Sequence, residues 1–146
     1  GQTYYLAVTD FRTATGAYIF SITNGASGTA ISGGADWTSA APIQVGTSYV
    51  DSTPPALSSS ALDIFSFTPT TSNYYTFAST GSLDMIGALF QAPNLLTGML
   101  TYDNDSGTDS NFSMRAYLTA GHTYYAAASV LSGSNSGSYG FSVVQG

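Results

Sequence analysis

The feature that most constrains this chain is an alternation of apolar and polar residues, period two, kept up almost from end to end. In TYYLAV, Tyr4, Leu6 and Val8 share one face, and in AYIFSI so do Tyr18, Phe20 and Ile22. Further on, LDIFSF aligns Phe65 with Phe67, NYYTF aligns Tyr75 with Phe77, and NFSMRAYL aligns Phe112, Met114, Ala116 and Leu118. Successive side chains of a strand point to opposite faces, so this pattern marks strands with one buried side. Aromatic residues favour the same state, and Gly, Asn, Ser and Pro punctuate it. Glu and Lys are absent and Gly or Pro interrupts most helix-length windows, so no helix is expected.

The alternation predicts strands near 2–9, 16–23, 42–46, 61–68, 73–79, 84–91, 95–102, 111–119, 122–130 and 137–144. Many short strands in one chain of this length mean an all-β, antiparallel β-sandwich of jelly-roll or Greek-key type. Its expected core is Phe65, Phe67, Tyr75, Phe77, Leu89, Phe112, Leu118, Tyr124, Tyr139 and Phe141.

The chain also repeats itself. Tyr4 and Tyr5 recur as Tyr124 and Tyr125, and Gly16, Tyr18 and Phe20 recur as Gly137, Tyr139 and Phe141. Solenoid repeats run about 20–50 residues, so a spacing this long points to an array of whole domains. Residues 1–25 are therefore expected to be a hairpin equivalent to the end of a preceding unit. Residues 26–60 read as a Gly-, Ser- and Pro-rich linker with one strand near 42–46, stiffened at Pro54–Pro55, and 61–146 as the complete sandwich.

Charge narrows the partners. The only cations are Arg12 and Arg115, against eight aspartates and a net charge of -6. Nothing here neutralises phosphates, which excludes nucleic acid and anionic membrane surfaces. No run approaches the ~20 apolar residues of a membrane span. With no initiator Met and no basic-plus-apolar leader pattern, the chain is expected to be a mature product or an excerpt from something longer. Cysteine is absent, so disulfide scaffolds and thiol chemistry are excluded as well.

Residues 61–146 resemble the bacterial pre-peptidase C-terminal domain, a β-sandwich module of secreted proteins. The matching stretches are LDIFSFTP, NYYTFASTGSLDMIGALF, LLTGMLTYDNDSGTDSNFSMRAYLTAGHTYYAAAS and GSYGFSV, with PIQVG similar to the family's first strand. The long segment at 46–60 and the near-absence of cations depart from the pattern. The resemblance implies a sandwich fold and a secreted or cell-surface setting, and it implies no activity.

Few residues could carry chemistry. His122 is the single histidine, so any Ser-His-Asp or His-metal site must run through it, and Gln2 stands in its place in the first copy. A strand-start polar residue is the plainer reading, and the chain is read as not an enzyme. YDNDSGTDSNF gathers Asp103, Asp105 and Asp109 in one loop, oxygen ligands of the kind Ca²⁺ requires, although the spacing is not that of an EF-hand. The competing reading is a tight turn whose Asp and Asn side chains cap backbone N–H groups. Asn104 and Asn111 head the glycosylation sequons NDS and NFS. Trp37, the single Trp, reads as an anchor tying its small-residue segment to a domain surface.

Two functions are then in view. The first is an extracellular structural protein whose units associate with copies of themselves, head to tail, by strand addition from the N-terminal hairpin. Its assembly surface would be Tyr4, Leu6, Val8, Tyr18, Phe20 and Ile22. The second is a non-catalytic module that binds collagen, polysaccharide or cell wall, appended to a secreted hydrolase.

Overall fold

A computed structural model describes residues 28–55, 62–132 and 137–146. Strands form where alternation is cleanest: β4 (Asp63–Phe67), β5 (Asn73–Thr80), β6 (Asp84–Phe90), β8 (Ser113–Leu118), β9 (Tyr124–Ser132) and β10 (Tyr139–Gln145). The shorter β7 (Met99–Asp103) completes this set. No helix occurs among the described residues. The hairpin expected at 1–25, with its proposed assembly residues, lies outside them.

Three more strands come from the stretch that composition marks as linker: β1 (Thr29–Ala30), β2 (Ala41–Pro42) and β3 (Ser48–Asp51). β3 pairs with β10 from Tyr139↔Asp51 to Ser142↔Ser48, and Ile43 and Tyr49 are buried in the common core. Residues 28–55 are thus part of the sandwich, and the one strand expected near 42–46 becomes β2, which overlaps its start at Pro42, with β3 following beyond its end. Runs of two to four residues are too short for alternation to reveal.

The first sheet has the order β1-β3-β10-β5-β8 and the second β2-β4-β9-β6-β7. All pairings are antiparallel except β1 with β3 and β2 with β4. Parallel neighbours need a crossover, and the chain supplies it by alternating sheets: β2 lies between β1 and β3 in sequence but in the other sheet. β9 and β10 likewise belong to opposite sheets, each paired on both sides. The closing stretch, read from sequence as a hairpin, is therefore a crossing between sheets.

Between the sheets lies an aromatic layer. Phe65 stacks on Phe141 at 4.7 Å, and Phe67 meets Tyr75 and Phe77 edge-on at 5.2 and 5.6 Å. Such pairs stabilise beyond the area they bury. All ten expected core residues are buried. Three tyrosine hydroxyls then pin connections to the layer: Tyr49 accepts from the Gln44 N–H, Tyr124 from the Thr119 N–H, and Tyr75 donates to the Thr71 carbonyl. At Gly121 (φ +75°) the turn into β9 takes a left-handed conformation that glycine adopts without strain.

Candidate functional site

Buried carboxylates are the least expected feature. Asp51 on β3 and Asp63 on β4 are almost wholly buried, one in each sheet. Asp51 accepts from the Gly33 N–H, the Thr53 N–H and the Thr53 hydroxyl. Asp63 accepts from the Tyr139 hydroxyl at 2.9 Å. The 31–34 loop lies across both: Gly34 bridges Ile64, and a Cβ on Gly33 would fall 2.4 Å from the Asp63 Cβ, so only glycine fits. Burial, and then the nearby Asp51 carboxyl, push the Asp63 carboxyl up to about 7, against the opposing pull of the Tyr139 bond. Burial and then Asp63 raise the Tyr139 phenol above its ordinary value. This trio ties the two sheets together, and the sequence reading did not single it out because Asp51 sits in the stretch taken for linker.

The acidic loop is arranged as a capped turn. Asp103 accepts from the Ser106 N–H, the Ser106 hydroxyl and the Ser113 N–H. Burial works to raise its carboxyl, but the bonds from Ser106 and Ser113 outweigh it and hold the group below the usual carboxylate range. Asp105 accepts from the Asn104 amide, and Asp109 adopts a left-handed φ of 57°. Among the described residues no three His, Cys, Asp or Glu side chains converge where a metal could sit. The Asn104 Oδ1 is buried without a partner, but one amide oxygen is not the six to eight oxygens that calcium takes. As arranged, Asp103, Asp105 and Asp109 do not fit a calcium cage.

Asn111 is not presented as a glycan acceptor. It is buried, its amide donates to the Gly81 and Thr108 carbonyls, and its Oδ1 accepts from the Ser79 hydroxyl, which takes the Phe112 N–H in turn. Burying an amide requires satisfying each polar atom, and this network does so. Asn104 is half-buried, its amide nitrogen bonded to Asp105. The His122 Nε2 bonds the Gln91 carbonyl, and its ring packs on Tyr124, on the exposed turn before β9.

The outer faces carry the remaining candidates. On the first sheet, Tyr74 and Tyr117 are cross-strand partners in edge contact at 5.3 Å, and the Arg115 guanidinium lies 4.0 Å over the Tyr74 ring. Both tyrosines are exposed. On the second sheet, Trp37 packs edge-on against Phe90 and Tyr125 at 5.2 and 5.6 Å, which is the anchor expected of it. Its loop is held by Asp36, which caps the Thr38 and Ser39 N–H groups; the Thr38 hydroxyl and the Ser39 bonds lower its carboxyl to about 2. Beside Trp37 an apolar groove of about 370 Å³ remains open.

The sandwich resembles the crystal structure of the pre-peptidase C-terminal domain of collagenase from Bacillus anthracis. The match has a TM-score of 0.54 at 13% identity and covers 70% of this chain and 92% of that domain. The chain shares the fold of a pre-peptidase C-terminal domain. No protein-family model and no curated protein matches it. The pre-peptidase-like sandwich thus agrees in fold with the resemblance carried by LDIFSFTP and the later stretches. No helix among its described residues is long and apolar enough to cross a membrane.

Proposed function

We propose that this chain is a non-catalytic β-sandwich module of a larger secreted protein, one that binds an extracellular polymer and carries out no chemistry. The observation that supports this most is the extent of the likeness: nearly the whole length of a collagenase's accessory domain is matched. The only histidine is engaged by a backbone carbonyl, and the buried carboxylates are enclosed between the sheets. The exposed Tyr74–Arg115–Tyr117 cluster supplies rings and a cation on the outer face of the first sheet, chemistry suited to packing on a polymer. The polymers in question are collagen, polysaccharide and cell wall. Head-to-tail assembly through residues 1–25 rests on residues outside those described and gives way to the module reading.

Co-sedimentation of the chain with collagen fibrils, insoluble glucans and purified cell walls tests this. Retention on one of them is expected, lost on joint Tyr74→Ala and Tyr117→Ala substitution. Failure to sediment with any of them would contradict the reading.

A further inference from the structure

Asp51 and Asp63 lie close together between the sheets, 1% and 6% exposed, and Gly33 sits against both. Its N–H bonds the Asp51 Oδ2 at 2.9 Å, and a Cβ on it would fall within 2.4 Å of the Asp63 Cβ. Few ionisable groups face Asp63. Asp51 meets it from β3 and the Tyr139 hydroxyl from β10, while Ala128 stands opposite it on β9. The covering loop, Ile31 to Gly34, brings none. Arg115, the one cation among the described residues, is exposed on β8 and lies over Tyr74.

Two neighbouring carboxyls enclosed in this way do not both ionise without a cation to offset them. One proton therefore belongs to the closed structure, in agreement with an Asp63 carboxyl raised to about 7 by burial and then by Asp51.

Attachment decides what gives way when that proton leaves. β3 is laddered to β10 from Ser48 to Asp51, and β4 to β9 from Asp63 to Phe67. The cover over the carboxyls is held far less. β1 is two exposed residues paired with β3 alone, followed by the bond from the Ile31 N–H to the Val50 carbonyl and the isolated Gly34–Ile64 bridge. Beyond Gly34 the chain is fastened again by the Asp36 caps and by Trp37 against Phe90 and Tyr125. Short, exposed segments with few buried contacts open at the lowest free energy.

We propose that residues 28–34 form a proton-held latch, closed over Asp51 and Asp63 while the pair keeps one proton and opening locally when both carboxyls ionise. Opening frees the backbone groups of Val50 and Ile64 that the latch now occupies, and an unpaired strand edge is a template for another strand. The closed form holds a proton that an open form, with ordinary carboxyls, has lost. Closure is thus firmest below the ordinary carboxylate range, weakens as pH rises toward about 7, and is level above.

Hydrogen exchange of the full chain, followed by NMR from pH 5 to pH 8 and corrected for the intrinsic rate, reads the latch at the Ile31, Gly33, Gly34 and Ile64 amides. Their protection should fall by up to about tenfold per pH unit, the limit for one proton, and level off above about 7. Dilute urea should leave these rates unmoved, the mark of local opening, while it speeds exchange in the β5–β10 ladder. Asp63→Asn, which can still accept from Tyr139, should make the protection of the latch independent of pH. Tyr139→Phe keeps the ring but removes the donor that favours ionised Asp63, so it should carry the levelling-off to higher pH. That second variant reads the latch even if Asp63→Asn does not fold. Latch protection that ignores pH, a pH dependence that survives Asp63→Asn, or one urea dependence shared by latch and ladder would overturn the proposal.

Discussion

Asp63 is buried with one hydrogen bond and a second carboxyl for a neighbour, so it stays inside by holding its proton. Its carboxyl titrates at about 7 in the fold against 3.8 ordinarily. Between those values the folded state binds a proton that the unfolded state has lost. Its contribution is therefore full below the ordinary value, is lost as pH rises toward about 7, and is level above. Asp63→Asn, which can still accept from Tyr139, should raise stability at pH 8 by about 2–4 kcal/mol and leave it little changed at pH 4. Denaturation curves at the two pH values check this, and equal effects at both would contradict it. Asp103 has the opposite sign: its lowered carboxyl adds stability above the ordinary carboxylate range, lost as pH falls through it. Asp103→Ala should cost about 1–2 kcal/mol by freeing the Ser106 and Ser113 N–H groups. EDTA should leave the melting temperatures of both proteins unchanged, whereas a calcium site would make the parent melt lower. The acids of the 103–109 loop were visible in the sequence, but the donors that occupy Asp103 were not, since Ser113 reaches it from β8.

At the scale of elements, residue size at single positions decides how closely the sheets approach. Gly87 on β6 faces the Phe112 ring, and an added Cβ would meet that ring at 2.8 Å and the Met114 Cε at 2.9 Å. Gly87→Ala should therefore cost about 1–3 kcal/mol through overpacking, measured by urea denaturation, and a neutral outcome would show that the ring moves aside. The longer strands β5, β6, β8, β9 and β10 were legible because five or more residues display the period. β1, β2 and β3 were not, being two to four residues long in a Gly- and Ser-rich stretch. Nor was the β9–β10 crossing, since alternation gives the face a residue occupies and not the sheet its strand joins. The closing stretch is thus two strands central to different sheets, in place of a freestanding hairpin.

For the whole molecule, the sandwich and its aromatic layer could be read from period and composition, because burial of alternating aromatics is a property of the sequence itself. The candidate sites could not. The Asp51–Asp63–Tyr139 trio, the Tyr74–Arg115–Tyr117 cluster and the groove each join residues from separate strands, so they exist only once register is set. The central claim is that residues 28–55 belong to the sandwich, with β1 to β3 covering the edges of β10 and β4 and enclosing the buried carboxylates. Thermal unfolding of fragments 28–146 and 62–146 tests it most directly. Fragment 28–146 should melt cooperatively, and fragment 62–146 should show no cooperative transition. A cooperative melt of 62–146 at the full chain's temperature would contradict the account and return residues 28–55 to the role of linker.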